Sequence, residues 1–351
     1  MRSPTPIFNE KVLCGLGRQV ASTGRLGAES VERALAALAR FRAINRILRV
    51  KNVRAIATAA CREAADGPDF IVRGEAVLGA PIQVLSGERE AALAAQGIMM
   101  GFQAPDGVAG DLGGGSLELI DINVDTLRQA ATLPLGGLRL IDTSAGRIDK
   151  AVDLVDEQVQ RVRWLEDGHD RAFYAVGGAW RAIARLHMEE VNYPLRVMHG
   201  YAMRTEEAIA FCEDIRKTKR LSTLLGIEDI PRPRREVLPF GALVLERLLK
   251  RLKPRRYISP YSAFAKVCSS ACCRKANVGA IHCCRFAPTT PSCARARPST
   301  PRSFVPGPMP SSRRRARRRP RRNDGCGMPP ACCPTSAGAP TPTTVASRAS
   351  T

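Results

Sequence analysis

Cysteine is scarce in the first 260 residues of this 351-residue chain, where Cys14, Cys61 and Cys212 are the three present. Three scattered thiols do not build the disulfide framework on which small secreted domains depend. No apolar run approaches the roughly 20 residues that span a bilayer. Residues 1–12 also lack the apolar core of a signal peptide. These absences favour a reduced cytoplasmic protein that makes no contact with a membrane.

Acidic residues almost vanish after residue 261, where Asp324 stands alone against sixteen Lys and Arg. That segment carries most of the chain's net charge of +21, so residues 1–260 are only mildly basic. Because the segment shows no apolar periodicity, we expect residues 262–351 to form a disordered tail. The arginine run at 313–322 is interpreted as an incidental basic tail, with RNA or DNA binding as the alternative. The tail cysteines lack the paired C-x-x-C spacing of a zinc ribbon.

Helical and extended patterns alternate through residues 29–260. The spacing predicts helices at 29–48, 69–78, 86–100, 149–166, 179–188, 206–216 and 235–251. It predicts strands at 53–57, 81–85, 107–112, 117–122, 172–176 and 255–260. This alternation is typical of an α/β fold. We expect two α/β domains, residues 1–104 and 105–261, followed by the tail 262–351.

The strands at 107–112 and 117–122 are joined by a short glycine link that predicts a hairpin. Asp111 precedes this link and Glu118 follows it. Glycines let backbone N–H groups approach phosphate oxygens, and the candidate phosphate ligands are Gly113, Gly114, Gly115 and Ser116. Asp111 and Glu118 are candidate ligands for Mg²⁺, which prefers oxygen donors and bridges to phosphates. A plain turn is the alternative, which the flanking acids disfavour.

Three weaker patterns accompany the hairpin. Glu90 lies in Ser-Gly-Glu-Arg-Glu-Ala at a helix start, where a carboxylate can accept a proton from water or simply favour the helix dipole. Arg62 suits bidentate phosphate binding, although a solvated arginine in a short helix is equally consistent with its spacing. Gly177 and Gly178 join a strand to a helix, as in a phosphate cradle. A Walker A sequence is missing, which argues against a P-loop enzyme.

Five segments, ATAACREA, VLSGEREAALAAQGI, GDLGGGSLELI, LPLGGLRL and AVGGAWRAIA, occur in the order of the exopolyphosphatase / guanosine pentaphosphate phosphatase family. The chain resembles that family over residues 8–260. The resemblance implies a two-domain actin-like, Hsp70-like (ribonuclease H-like) fold of the ATPase superfamily. It also implies Mg²⁺-dependent release of terminal phosphate from polyphosphate or guanosine pentaphosphate, and it is compatible with a homodimer.

Matched by position, the resemblance gives each candidate residue a role. Glu90 corresponds to the glutamate that activates water, and Arg62 to a phosphate-binding arginine. Asp111, Gly113 and Glu118 correspond to a phosphate loop and its metal ligands. Arg89 departs from the family, which often has Glu at that place.

Two larger departures concern the ends of the chain. The family pattern begins with a strand and an Asp-x-Gly-Ser/Thr-Asn loop, which residues 1–10 do not contain. We therefore expect an incomplete first domain and impaired hydrolysis. After Tyr261 the Gly-x-Arg-Glu-Gly loop of the family is missing, and we expect a shift of reading frame near Ser262. The alternative function is a non-catalytic remnant that binds polyphosphate or nucleic acid through its basic tail.

Overall fold

The computed structural model describes residues 8–218 and 220–260, and the structure below concerns these residues. The helices are α1 Val20–Thr23, α2 Ala28–Ile47, α3 Ala59–Glu63, α4 Gly67–Leu78, α5 Gly87–Gly101, α6 Gly137–Thr143, α7 Ile148–Gln160, α8 Gly178–Glu190, α9 Thr205–Lys217, α10 Arg232–Arg235 and α11 Leu238–Leu252. The strands are β1 Ala55–Ala57, β2 Ile82–Val84, β3 Asp106–Leu112, β4 Leu117–Asn123, β5 Thr126–Leu133, β6 Ala172–Gly177, β7 Tyr201–Arg204 and β8 Arg256–Ser259. The expected tail 262–351, with its cysteines and arginine run, lies outside the described residues.

Six strands form one mixed sheet in the order β5-β4-β3-β6-β8-β7. Strand β3 pairs antiparallel with β4 and parallel with β6, so it lies between these two strands. Strands β1 and β2 form a separate two-stranded parallel sheet. The carboxyl ends of β3 and β6 therefore meet at one edge of the larger sheet, where the two predicted glycine turns follow them.

Helices cover both faces of the larger sheet, and successive side chains of each strand point to opposite faces. Leu117 and Leu119 belong to the main core with α7, α8, α9 and α11. Ile120 and Ile122 point to the other face and pack against α5. The inward side of α5 is built from small alanines at 91, 94 and 95, which let the helix lie close to the sheet. The first turn of α5 is thereby placed beside the β3–β4 hairpin.

A smaller core surrounds β1 and β2. Helices α2 and α4 pack together there through a cluster that includes Val31, Leu35 and Phe70. Helix α5 follows β2 in the chain yet packs on the six-stranded sheet. The division into domains at residue 104 stays a prediction. Within residues 8–218 and 220–260 no helix has the length and apolarity needed to cross a membrane.

Most predicted elements are confirmed, and the hairpin of β3 and β4 is antiparallel as expected. The predicted helix 149–166 was too long, because α7 ends at Gln160 and a 3₁₀-helix, Arg163–Gly168, turns Leu165 into the core. The predicted helix 235–251 begins later, at Leu238, with a proline in its first turn. Strands β5 and β7 were missed. Strand β5 is an edge strand with almost every residue exposed, so its sequence carries no burial pattern.

Arg171 ties the start of β6 to the β3–β4 pair. Its Nη2 donates to Asp121 Oδ1 at 2.7 Å and to the Ile122 carbonyl at 2.8 Å, and its Nε donates to Asp106 Oδ1 at 2.9 Å. Asp121 is 2% exposed. Removing one partner of a buried pair leaves an uncompensated charge that is strongly destabilising.

We expect Arg171→Met to lower the free energy of unfolding by about 3 kcal/mol, measured by urea denaturation. Arg161→Met is the matched control, because it breaks the solvent-exposed pair with Glu157 and should cost less than about 1 kcal/mol. Equal losses in the two variants would contradict a buried role for Arg171.

Candidate functional site

Two carboxylates face each other at the end of the β3–β4 hairpin. Asp111 and Glu118 are register partners in the antiparallel pair, and residues directly opposite have Cβ atoms about 4.5–5.5 Å apart. By strand alternation both point to the sheet face that α5 covers. Glu118 is 3% exposed. The hairpin therefore holds two acids side by side, of which Glu118 is buried and Asp111 is half-buried.

The environment of these acids disfavours negative charge. Burial, with a smaller contribution from the Glu90 charge, raises the pKa of Asp111 to about 6, against the opposing influence of Arg181. Burial also raises the pKa of Glu118 to about 8, although a hydrogen bond from Ser116 works in the other direction. Within the described part of the chain, Glu118 Oε1 is buried without a hydrogen-bond partner. The charges of Arg181 and Arg62 oppose these two shifts without cancelling them.

This donor set fits a hard divalent cation. A buried carboxylate oxygen without a partner is the kind of atom that such an ion satisfies, and Asp111 lies opposite it. No group of three His, Cys, Asp or Glu residues is arranged to hold a metal among the residues that the structure describes. Mg²⁺ commonly uses one or two protein carboxylates and completes its shell with water and substrate phosphates. Two carboxylates are therefore a sufficient protein contribution.

Glu90 reaches the hairpin from the first turn of α5. The Ser86 hydroxyl caps this helix by accepting from the Arg89 amide at 3.2 Å. Burial raises the pKa of Glu90, and the Arg62 guanidinium opposes that shift. The charge of Glu90 raises the pKa of both Asp111 and Glu118, so the three carboxyls share one electrostatic environment.

Arg62, predicted as a phosphate ligand, is engaged with the protein. Its Nη1 donates to Glu90 Oε2 at 2.9 Å and to the Leu85 carbonyl at 2.7 Å. The two contacts fix the guanidinium against the start of α5. In this arrangement Arg62 orients Glu90, and its binding to phosphate stays a prediction.

The glycine turn is oriented by the N-terminus of α6. The Gly113 carbonyl accepts from the Gly137 amide at 3.1 Å, and the Gly114 carbonyl accepts from the amides of Leu138 and Arg139 at 2.9 and 3.1 Å. Because the carbonyls point to α6, the amides of Gly114 and Gly115 donate to no group of residues 8–218 and 220–260. The turn thus presents free N–H donors beside the acids.

Two close approaches explain why the turn region needs glycine. A Cβ on Gly136 would come within 2.3 Å of the Gly115 backbone. Gly177 has a φ of +118°, and a Cβ there would lie 2.5 Å from the Leu112 carbonyl oxygen. Gly177 ends β6, and Gly178 begins α8, so the unpaired N–H groups of that helix start lie next to the hairpin.

A cleft of about 800 Å³ opens in front of these turns. Gly113, Gly114 and Gly178 line one wall. The N-terminal segment around Lys11 and residue Arg234 also line the cleft. The three carboxyls are not among the residues that line this cleft.

Lys11 and Arg234 line this cleft, and the charges of Arg181 and Arg185 on α8 act on one or both of them. We call these four cations the cationic wall. None of the four forms an ion pair with a carboxylate of the described residues. Loss of hydration, followed by the charges of Arg181 and Arg234, lowers the pKa of Lys11, whose other side is exposed. Burial and the charges of Arg181 and Arg185 likewise lower the pKa of Arg234. Glu29 and Glu236 also line the cleft, but they pair with Arg33 and Arg18. The cationic wall itself therefore favours an anionic ligand.

The structure brings Arg62, Glu90, Asp111, Ser116 and Glu118 into one electrostatic environment, and it places both glycine turns beside them. Sequence reasoning missed the cationic wall entirely. Its members lie far apart in the chain among many other basic residues, and no local pattern marks them. These cations come together because the N-terminal segment packs against α8 and α10.

We expect Glu118→Gln to change how stability depends on pH in metal-free buffer. A carboxyl whose pKa is about 8 in the folded protein and 4.5 as a free group contributes stability below pH 4.5 that is lost as pH rises toward 8. The variant should therefore exceed the wild type in Tm at pH 8.5, and the advantage should shrink at pH 5. Glu88→Gln, on the exposed side of the same region, is the control. A pH-independent difference would contradict the burial of a titrating Glu118.

Comparisons with known proteins agree with this geometry. The sequence profile of the Ppx/GppA phosphatase family matches residues 2–263. Exopolyphosphatase 1 of Mycobacterium leprae (strain TN) is 29% identical over 194 residues, which is 52% of this chain and 57% of that protein. The chain thus spans little more than half the length of this curated relative.

Solved structures show the same fold. An exopolyphosphatase from Cytophaga hutchinsonii superposes with a TM-score of 0.67 at 22% identity, over 78% of this chain and 91% of that chain. The Aquifex aeolicus member of the Ppx/GppA family gives a TM-score of 0.58 at 21% identity, over 75% and 87%. The predicted actin-like α/β fold is confirmed, while the incomplete first domain stays a prediction. On the match over residues 2–263, the chain belongs to the Ppx/GppA phosphatase family.

Proposed function

We propose that this protein hydrolyses the terminal phosphoanhydride bond of inorganic polyphosphate and releases orthophosphate. One observation carries the proposal. The Glu90 carboxylate, which Arg62 holds, lies in the same electrostatic environment as the acid pair of Asp111 and Glu118. The amides of Gly114 and Gly115 in the adjoining turn donate to no described group. The name of the Mycobacterium leprae relative supports polyphosphate as the substrate.

The free amides supply the phosphate grip. Phosphate oxygens accept hydrogen bonds from backbone N–H groups that no other group satisfies, and a helix start such as that of α8 adds a favourable dipole. The α6 contacts hold the turn carbonyls away, so the donors need not reorganise when the ligand arrives. In this proposal the terminal phosphate lies between the turn and Glu90.

Glu90 serves as the general base. Its carboxylate takes a proton from a water molecule whose oxygen bonds to the terminal phosphorus, and the bridging P–O bond breaks. The products are orthophosphate and a chain shortened by one phosphate. Burial raises the pKa of Glu90 and so strengthens it as a base, and Arg62 keeps it ionised and oriented.

Asp111 and Glu118 would hold Mg²⁺, which would neutralise charge on the phosphate oxygens. Their raised pKa values show that the pair is poor at bearing two charges alone. The cationic wall extends the site along the cleft and suits a substrate that carries several phosphates in a row.

We expect Glu90→Gln to lower phosphate release from long-chain polyphosphate with Mg²⁺ by about 10²- to 10⁴-fold, because general-base catalysis is lost. Released phosphate is measured with malachite green, and guanosine pentaphosphate serves as a second substrate arm. Glu88→Gln, two residues earlier and exposed, is the matched control and should keep wild-type activity.

Equal background rates in the wild type and Glu90→Gln would contradict the proposal and favour a non-catalytic binding protein. Release from guanosine pentaphosphate alone would keep the reaction type but correct the substrate. Both outcomes are read from the same assay.

Lys11→Gln combined with Arg234→Gln should raise the polyphosphate concentration for half-maximal rate several-fold and flatten its dependence on salt, because fewer cations meet the chain. The maximal rate should change little, since neither Lys11 nor Arg234 contacts the carboxyl group of Glu90. Lys150→Gln, an exposed change on α7, is the control. An unchanged salt dependence in the double variant would contradict a role for the cationic wall in substrate binding.

A further inference from the structure

One ion pair crosses from the β1–β2 region to the glycine turn. Glu63 ends α3, and Arg139 lies in the first turn of α6. Arg139 Nη2 donates to Glu63 Oε2. The side chains are 31% and 19% exposed, so water screens the pair only in part. The pair joins two segments that are 76 residues apart in the sequence.

On one side, this ion pair adjoins the group that orients the base. Glu63 Oε1 lies 4.0 Å from Arg62 Nη2, while Arg62 Nη1 donates to Glu90 Oε2 at 2.9 Å. The charge of Glu63 also contributes to the raised pKa of Glu90. A displacement of Glu63 would therefore change the surroundings of the Arg62 guanidinium, which holds Glu90.

On the other side, the ion pair adjoins the phosphate grip. The backbone amide of Arg139 donates to the Gly114 carbonyl at 3.1 Å, beside the Leu138 amide at 2.9 Å. These bonds turn the amides of Gly114 and Gly115 away from α6. The same residue thus binds the turn through its backbone and Glu63 through its side chain.

We propose that Glu63 and Arg139 are positioning residues that set the distance between Glu90 and the glycine turn. The inference rests on the proposed function, since that distance separates the general base from the phosphate. Neither residue needs to contact the substrate. Catalysis is sensitive to displacements of about 1 Å, so loss of the pair lowers turnover while the free amides and the cationic wall still bind the chain.

The test is a double-variant cycle on the full chain with polyphosphate and Mg²⁺. Glu63→Gln and Arg139→Gln should each lower kcat about tenfold and leave KM within about twofold. The double variant should be no slower than the slower single variant, because both changes break one interaction. Arg139→Lys, which keeps the charge, should recover part of kcat. Glu157→Gln with Arg161→Gln removes an exposed helical pair as the control.

Hydrogen exchange of the peptide spanning residues 137–139, whose amides donate to the turn carbonyls, gives a second readout that does not need activity. Both single variants should speed exchange there, while the control pair should leave it unchanged. Unchanged exchange and unchanged kcat, additive losses of kcat in the double variant, or a loss that Arg139→Lys does not relieve would each overturn the positioning role. If the wild type releases no phosphate, the proposed function fails, and the exchange measurement still decides whether the pair fixes the turn.

Discussion

The candidate site depends first on the antiparallel pairing of β3 with β4, which sets Asp111 opposite Glu118. Two carboxylates so placed repel each other, and burial removes the water that would screen them. Burial is the main cause of the raised pKa values of both acids, and the charge of Glu90 adds to it. The hairpin cannot relax the repulsion, because both strands are held on both faces by packed helices. A bound cation relieves the repulsion without moving the backbone, which makes the acid pair a receptor for positive charge.

In the proposed function, helix α5 supplies the general base beside this acid pair. Its alanines at 91, 94 and 95 pack on the sheet and bring the first turn of the helix to the hairpin. Glu90 is carried there with its charge adding to the repulsion, and Arg62 offsets it through a direct hydrogen bond. A carboxylate beside a buried cation site, held by one guanidinium, is both desolvated and oriented. Those are the two properties that a base acting on water requires.

The sequence predicted the parts of this site that are local. Asp111, the glycines and Glu118 lie within eight residues, and strand periodicity alone places the acids at the two ends of a turn. The approach of Glu90 depends on tertiary packing, and the family resemblance implied its role where spacing could not. Arg62 shows the limit of such reasoning, because a guanidinium suits a phosphate or a carboxylate equally well. Only the fold shows that its present partner is Glu90.

The remaining errors have the same physical origin. Strand β5 has no alternation because the sheet edge that it forms is exposed, so no burial pattern was written into its residues. Lys11 and Arg234 meet across the cleft from opposite ends of the described chain. Residues that are distant in the sequence and meet only in the folded chain form no regular spacing that sequence analysis can recognise.

The opposite charges of the site decide what kind of substrate it suits. The site combines acids that favour a divalent cation with a cationic wall that forms no ion pair with a carboxylate of the residues described. A ligand with a single anionic group could satisfy one of these regions but not both. A run of linked phosphates offers oxygens to a cation at its end, acceptors to the free amides next to it, and further negative charge to Lys11 and Arg234. The charge distribution of the cleft therefore supports the proposed substrate, a run of linked phosphates.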